Sequence, residues 1–225
     1  MNEANGAQQL LADDFLLLAL DSDTGRFPAR LPLDGAVAVA LLLELANEER
    51  LELFGPEDRV FVADDAATAH PALDHALAAI QADQGTEPYL VVTLFAKGSF
   101  EDAMQRLIES GQLREEVRRR GLARRKTWWH TGHERISLLR TTLAAVVVDN
   151  QEPDLRMATL ISMLADRSLL HRLVVADKRE VESRAAQIAE DVSVANPVTY
   201  ALLNKSPVVV STVNGPDPFY PGMYG

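Results

Sequence analysis

Residues 114–129 combine positive charge with large aromatic rings in one short segment. The segment reads REEVRRRGLARRKTWW and contains seven Arg or Lys residues, two Glu and both tryptophans of the chain. Arginine binds phosphate oxygens through two parallel hydrogen bonds, and tryptophan is enriched where a membrane meets water. This composition favours a contact surface for an anionic partner. The alternative is a solvated surface strand whose arginines pair with carboxylates elsewhere in the chain.

The charge of this segment is opposite in sign to that of the whole chain. The formal net charge is −11 over 225 residues, whereas the segment carries +5 from seven basic and two acidic side chains. The remainder therefore carries −16. A chain with this balance repels nucleic acid and anionic lipid over most of its surface. We expect any anion-binding face to be local, and the protein to approach such a partner in one orientation.

Gly121 divides the basic segment into two short runs, residues 113–119 and 123–129. This pattern indicates a β-hairpin with Leu122 near its tip. Alternate side chains of a strand share a face. The spacing therefore predicts four cations along one side and both tryptophans at the base, namely Arg118, Arg120, Arg124, Lys126, Trp128 and Trp129. A winged DNA-binding domain presents its wing in the same way, so lipid and nucleic acid both stay open as partners.

Asp21, Asp23 and Gly25 have a spacing that occurs in calcium-binding loops. Position six of such a loop would be Arg26 instead of glycine, and position twelve would be Pro32 instead of glutamate. The sequence therefore favours a role in capping a turn.

His130, His133 and Glu134 resemble a zinc site only loosely. A zinc-protease helix needs the order His-Glu-x-x-His, which places two imidazoles one turn apart, whereas here Gly132 interrupts the segment and the order differs. The chain also contains no cysteine, no nucleophile elbow, no phosphate-binding Gly-Lys loop and no dinucleotide glycine pattern. We predict a protein with no catalytic residues, no metal and no cofactor, which is not an enzyme.

The hydrophobic patterning predicts a mostly α-helical fold, a single globular helical domain with two small β-hairpins. The second helix is apolar almost all round, which is typical of a central core helix. Residues 90–96 are rich in β-branched side chains, and their helical surroundings favour helix over strand. Ser99 is predicted to cap a helix that ends before Gly111. We predict helices over residues 9–21, 32–49, 71–82, 90–96, 99–110, 133–148, 153–165, 178–192 and from 196 to before Gly215, with a first hairpin over 50–54 and 59–63.

The domain organisation follows from composition. A hydrophobic fraction of 47% and the lack of an internal linker predict one domain over residues 8–214, with a tail at 1–7 and a flexible Pro/Gly-rich tail at 215–225. Asp13 and Asp14 interrupt the first apolar run, so it does not read as a secretory signal. No window of 18 apolar residues is present. With no cysteine, we expect a cytoplasmic protein whose membrane association is peripheral.

Several motifs together resemble the Golgi phosphoprotein 3 family in its bacterial form. They are LLADDFLLLALDSDTG at residues 10–25, LLLELA at 41–46, RLEL at 50–53, LDHAL at 73–77 and LIESGQL at 107–113, followed by the basic hairpin. The similarity covers residues 8–205. It implies a mostly α-helical domain with small hairpins. Eukaryotic members are peripheral membrane adaptors that bind phosphatidylinositol 4-phosphate and recognise the cytosolic tails of Golgi enzymes.

The resemblance also implies where a lipid would bind. In the family the hairpin after the Gly-Gln-Leu turn is implicated in oligomerisation and membrane contact, and here it spans residues 113–129. A tryptophan and an arginine of the family's headgroup pocket fall near Ala29 and Ala38, and two further arginines fall near Lys97 and Phe100. Only Lys97 keeps the charge. Arg26 and Arg30 lie close to the first position and are candidate substitutes.

We therefore hypothesise a peripheral membrane protein that binds anionic phospholipid, phosphoinositide-like by resemblance, and acts as an adaptor or scaffold. The headgroup candidates are Lys97, Arg26 and Arg30. The membrane-contacting hairpin residues are Arg118, Arg120, Leu122, Arg124, Arg125, Lys126, Trp128 and Trp129. Two alternatives use the same hairpin. One is a homo-oligomer that self-associates through it, and the other is a nucleic-acid module, which the acidic remainder disfavours. The sequence identifies no protein partner.

Overall fold

A computed structural model of the protein describes residues 9–29, 31–120, 123–167 and 169–205. These residues form ten helices and two antiparallel hairpins. In chain order the elements are α1 Leu11–Ala19, α2 Leu33–Asn47, β1 Leu51–Phe54, β2 Arg59–Val62, α3 Pro71–Ala82, α4 Pro88–Phe95, α5 Ser99–Glu109, β3 Leu113–Arg120, β4 Ala123–His130, α6 His133–Val147, α7 Leu155–Asp166, α8 Leu170–Leu173, α9 Lys178–Ala195 and α10 Pro197–Lys205.

The mostly α-helical fold with two hairpins is confirmed. The segment at residues 90–96, where the sequence favoured helix over strand, forms most of helix α4. Every other predicted helix and both hairpins form within a few residues of the predicted limits. The sequence pattern missed α8, which has only four residues and therefore shows no helical period. The predicted tails at 1–7 and 215–225, and the predicted end of the last helix before Gly215, lie outside the described residues.

The core is built on α1 and α2. All nine residues of α1 are buried, and so are residues 35–46 of α2. The two helices pack against each other, and α5, α6 and α7 surround α1 while α3, α4 and α10 pack on α2. The nearly uniform apolar character of α2 thus places it at the centre, as its sequence predicts.

The predicted N-cap of α5 is wrong. Gly98 occupies that position with a φ of +83°, a backbone conformation that favours glycine. Ser99 is instead the first helical residue, is buried, and donates its hydroxyl hydrogen bond to the Asp34 carbonyl oxygen at 3.0 Å. The side chain thus ties α5 to the start of α2.

Three carboxylates lie inside this core. Asp13, Asp14 and Glu44 are 5%, 1% and 3% exposed. A buried carboxylate is stable in its charged form only with close partners. Burial raises the pKa of Asp13, and Arg106 opposes this rise.

Arginines from three surrounding helices supply those partners. Arg106 of α5 donates to Asp13 Oδ1 at 2.9 Å, and Arg135 of α6 binds both oxygens of Asp14 at 2.9 and 2.5 Å. Arg156 of α7 pairs with Glu44 and also donates to Asp14 Oδ2 at 3.2 Å. We call these six side chains the buried ion network. It joins α1 and α2 to the helices around them.

Replacing Arg156 with methionine tests the buried ion network. The Arg156→Met variant keeps most of the side-chain volume but leaves Glu44 in the core without a cation, with the Leu11 backbone N–H as its remaining partner. We expect the free energy of unfolding to fall by about 3 kcal/mol, because removal of one partner leaves an uncompensated buried charge. Urea denaturation measures the change. Arg179→Met, at an exposed position on α9, is the control and should change stability by less than about 0.5 kcal/mol. Equal losses in the two variants would contradict the assigned role.

His70 caps α3 with its ring. Its Nδ1 accepts a hydrogen bond from the Ala72 backbone N–H at 3.1 Å. Burial lowers the pKa of His70 below its ordinary value of 6.5, and Arg106 lowers it further. Protonation places a hydrogen on Nδ1 and removes the acceptor, and a lost N-cap costs about 1 kcal/mol.

This cap predicts a pH dependence of stability. Since the pKa of His70 is lower in the folded protein, the unfolded chain takes up the proton first as the pH falls. The contribution of the His70 cap to the free energy of unfolding should therefore be fully present above about pH 6.5 and decline as the pH falls below it. His70→Asn keeps a capping acceptor that does not titrate, so its denaturation midpoint should fall less than that of the wild type between about pH 7 and pH 5. His75→Asn, an exposed histidine of the same helix, should retain the wild-type slope.

Candidate functional site at the basic hairpin

The basic segment forms a regular two-stranded ribbon. Strands β3 and β4 pair from Leu113 opposite His130 to Arg120 opposite Ala123. Gly121 and the predicted tip residue Leu122 lie outside the described residues. The predicted hairpin is therefore confirmed as an element, while the position of Leu122 at its tip stays a prediction.

The base of the ribbon is fixed to the helical body. Leu113 is buried, and the Trp128 backbone N–H donates to the Gly25 carbonyl oxygen at 2.9 Å. His130 Nε2 lies 3.0 Å from the Leu17 carbonyl oxygen, which accepts its hydrogen. Backbone and side-chain bonds to the turn after α1 and to the end of α1 thus hold β4 in place.

The two tryptophans pack on the body of the protein. Trp128 is half-buried, with its ring centroid 5.7 Å from that of Phe27 and 6.0 Å from that of Phe100. The Trp129 ring lies against Gly25, where an added Cβ would come within 3.1 Å of it. Both indole N–H groups are buried without an acceptor among the described residues. The rings lie at the base, as predicted, and they attach the hairpin to the helices. Their predicted contact with a membrane remains untested.

Phe100 lies near a position where the family resemblance places a headgroup arginine. Its ring packs edge-on against Phe27, with centroids 5.4 Å apart. At this point the side chain makes an aromatic contact.

The predicted alignment of four cations on one face is wrong. Opposite residues of an antiparallel pair share a face. The register places Arg118 opposite Arg125 and Lys126 opposite Val117. Positions 118 and 120 therefore belong to one face, and positions 124 and 126 to the other. The error arose because alternation within each strand does not fix the register between strands, which the length of the turn determines.

Charge is distributed unevenly along the ribbon. Glu115 pairs with Lys126 at 3.1 Å, and Glu116 with Arg114 at 3.0 Å. Both acids lie in the half nearest the body. Beyond them, residues 117–125 contain five arginines and no acid, namely Arg118, Arg119, Arg120, Arg124 and Arg125. Arg125 and Lys126 are exposed, and Val117 is 41% exposed. The side chains at positions 118–120 and 124 lie outside the described part of the structure.

Two of the three predicted headgroup residues lie in separate clefts. Arg26 lines a cleft of about 330 Å³ beside the hairpin base, together with Arg140 and Arg172. Lys97 lines another cleft, of about 460 Å³, with His70 and Arg106. The structure therefore does not bring Arg26 and Lys97 together in one pocket. Arg30 lies outside the described residues.

The turn after α1 has the capping role that its sequence predicts. The Asp21 carboxylate accepts hydrogen bonds from the Asp23 N–H at 3.1 Å and from the Thr24 N–H and hydroxyl, each at 2.8 Å. The Thr24 hydrogen bonds hold the pKa of Asp21 below its ordinary value. Gly25 follows with a φ of +65°. The carboxylate thus serves the turn itself.

Sequence reasoning missed Phe27, Arg140 and Arg172. Phe27 is one aromatic residue in a turn, and the two arginines stand alone on helices far apart in sequence. Only the folded chain brings these residues to the hairpin base. Among the described residues, no three histidine or carboxylate side chains lie close enough together to hold a metal ion.

These features define a class of protein, a mostly helical domain that carries an anchored basic β-hairpin. The sequence profile of the Golgi phosphoprotein 3 (GPP34) family matches residues 11–204, so the chain belongs to this family. None of the proteins of curated function matches the chain significantly. In the described ranges, no helix is both long and apolar enough to cross a bilayer.

Gly25→Ala tests the attachment of the hairpin. An added Cβ would lie 2.9 Å from the Trp128 carbonyl oxygen, so the turn and β4 must separate. We expect the free energy of unfolding to fall by at least about 2 kcal/mol, because the left-handed φ and the steric clash both destabilise the variant. Faster amide hydrogen exchange along β4 should accompany the loss.

The matched control for this prediction is Gly55→Ala. Gly55 has a φ of +77° but meets no atom within 4 Å of an added Cβ. The free energy of unfolding of this variant should fall only by the cost of the left-handed backbone conformation, about 1 kcal/mol. Equal costs and unchanged exchange in β4 would show that Gly25 does not attach the hairpin.

Proposed function

We propose that this protein is a non-enzymatic peripheral membrane protein of the cytoplasm that binds anionic lipid headgroups through its basic hairpin. It would act as an adaptor or scaffold at the membrane surface. The observation that carries the proposal is the segregation of charge along the ribbon. Five arginines occupy residues 117–125, whereas both acids of the hairpin lie in the half nearest the body, where Glu115 pairs with Lys126 and Glu116 with Arg114.

The magnitude of this charge is sufficient for reversible binding. Each cation near an anionic bilayer contributes about 1 kcal/mol. Five arginines would then contribute about 5 kcal/mol, which corresponds to a weak, salt-sensitive association. The acidic remainder of −16 opposes any other orientation, since it places like charges against the membrane.

The location of the tryptophans supports an electrostatic contact rather than deep insertion. Trp128 packs on Phe27 and Phe100, and Trp129 packs on Gly25, so both rings already contribute to the fold. Release of these rings into lipid would break the attachment of the ribbon. The proposed contact therefore consists of arginine–phosphate pairs, with Leu122 as the one large apolar side chain of residues 118–125.

Self-association through the hairpin is a second candidate function. In the described residues no third strand pairs with β3 or β4, so a second copy could add to the outer edge of the ribbon beyond the Trp128 hydrogen bond to Gly25. The like charge of the arginines opposes such pairing. We therefore expect self-association to require a bound anion that neutralises the arginines.

A pair of substitutions in the ribbon tests the membrane proposal. The Arg124→Ser/Arg125→Ser variant removes two of the five arginines while the strand pairing persists. Binding to vesicles that contain phosphatidylglycerol should fall about thirtyfold, as expected for two contributions of about 1 kcal/mol each. Co-sedimentation measures this, with neutral phosphatidylcholine vesicles as the baseline. Binding of the wild type should also fall as salt rises above physiological concentration.

The control variant is Lys178→Ser/Arg179→Ser, which removes two exposed cations from α9. Its binding should stay within about twofold of the wild type, because these cations lie outside the hairpin. Equal losses in both variants would mean that only net charge matters, and would overturn the hairpin as the contact. Without vesicle binding, sedimentation velocity in the presence of phosphate would decide for or against self-association, and competition by duplex DNA would detect a nucleic-acid surface.

A further inference from the structure

Three arginines from three separate elements line one cleft beside the hairpin base. Arg26 belongs to the turn after α1, Arg140 to α6 and Arg172 to α8, and all three are exposed. None of the ion pairs among the described residues involves these side chains, although the charge of Arg172 acts on Asp21. The positions are far apart in the sequence, so the fold alone creates this cluster.

Buried leucines and hydrogen bonds hold the walls of the cleft in place. Leu18, Leu20 and Leu169 are buried and form an apolar lining. Arg140 donates to the Ser22 hydroxyl at 3.2 Å, which orients its guanidinium toward the turn. The turn itself is closed by a backbone hydrogen bond from the Asp21 N–H to the Arg26 carbonyl oxygen at 2.9 Å.

Two carboxylates also line the cleft and reduce its positive charge. With Arg26, Arg140 and Arg172 opposed by Asp21 and Asp23, the formal balance is +1, three minus two. Asp21 accepts three hydrogen bonds from its own turn. Asp21 and Asp23 are both exposed, and the charge of Arg172 acts on Asp21, so both carboxylates compete with a bound anion for the arginines.

We propose that this cleft binds a phosphomonoester, the singly esterified phosphate of a lipid headgroup or of a small soluble molecule. A phosphomonoester presents three unesterified oxygens, one for each guanidinium, whereas a phosphodiester or a carboxylate presents only two. The volume of about 330 Å³ accommodates a phosphate with a small polar group attached.

The cleft and the hairpin share one structural element. Gly25 accepts the hydrogen bond from Trp128 of β4, and the next residue, Arg26, lines the cleft. A ligand in the cleft would therefore lie beside the hairpin base. Only the lipid source of the phosphate rests on the proposed membrane function, while binding of a soluble phosphomonoester is independent of it.

Titration of the full chain with glycerol 3-phosphate tests the proposal, with acetate as the carboxylate control. Backbone amide NMR shifts report the binding site. We expect saturable shifts at residues 21–26 and near Arg140 and Arg172 with the phosphomonoester, and weaker binding of acetate. The absence of saturable shifts at millimolar glycerol 3-phosphate would overturn the proposal.

Two variants with opposite expected effects on affinity distinguish a change in binding from a defect in folding. Arg140→Gln/Arg172→Gln should weaken glycerol 3-phosphate binding at least about tenfold, because it removes charged hydrogen-bond donors. Asp23→Asn should strengthen binding a few-fold, since it removes one of the two competing carboxylates and keeps the Asp21 side chain that caps the turn. A folding defect would not produce this gain. Arg179→Gln on α9 should bind as the wild type does. Weaker binding by Asp23→Asn, or unchanged binding by the arginine variant, would refute the assignment.

A vesicle experiment identifies the source of the phosphate. Phosphatidic acid presents a phosphomonoester and phosphatidylglycerol a phosphodiester. If the source is lipid, the wild type should prefer phosphatidic acid, and Arg140→Gln/Arg172→Gln should lose this preference but keep hairpin-dependent binding to phosphatidylglycerol. If the protein binds glycerol 3-phosphate without that preference, the cleft serves a soluble molecule. If vesicle binding fails entirely, the membrane proposal fails while the titration still decides the cleft.

Discussion

The structure depends on the pairing of three buried carboxylates with three arginines. An unpaired charge in this core would cost several kcal/mol, so α5, α6 and α7 must each place an arginine against α1 or α2. Two of these helices flank the basic hairpin in the chain. α5 precedes β3 and is held to Asp13 through Arg106, while α6 follows β4 and is held to Asp14 through Arg135. The position of both ends of the hairpin is therefore fixed by charges at the centre of the protein.

Much of the fold is predictable from the sequence because its helices have strong local signals. The apolar run of α2, the proline at the start of α3 and the glycine after α5 each mark a boundary or a buried face. The buried ion network is not predictable in this way. Asp13 and Asp14 read as favourable charges near the start of α1, and their arginines are about 90 to 140 residues away. Helical and strand periodicity relates only residues that are close in the sequence, so it does not reveal these pairs.

The site was predictable in part, for a related reason. Composition located the basic hairpin, since seven cations and two tryptophans in sixteen residues stand out in an acidic chain. The pairing register was not accessible, and it separates Arg118 from Lys126. Whether a tryptophan faces lipid or protein was equally inaccessible, because Phe27 and Phe100 contact Trp128 only in the folded chain. The cleft of Arg26, Arg140 and Arg172 has no sequence signature at all.

The length of the ribbon makes it a spacer as well as a contact. Strand pairing continues for four residues beyond Glu116 and Thr127, which at about 3.3 Å per residue gives a distance of about 13 Å. Counterions screen charges over about 8 Å at physiological ionic strength but only over about 30 Å in dilute salt. At physiological ionic strength, counterions therefore screen an anionic surface at the tip from the acidic body. In dilute salt, the acidic body repels the same surface. Attraction to such a surface would be strongest at an intermediate ionic strength.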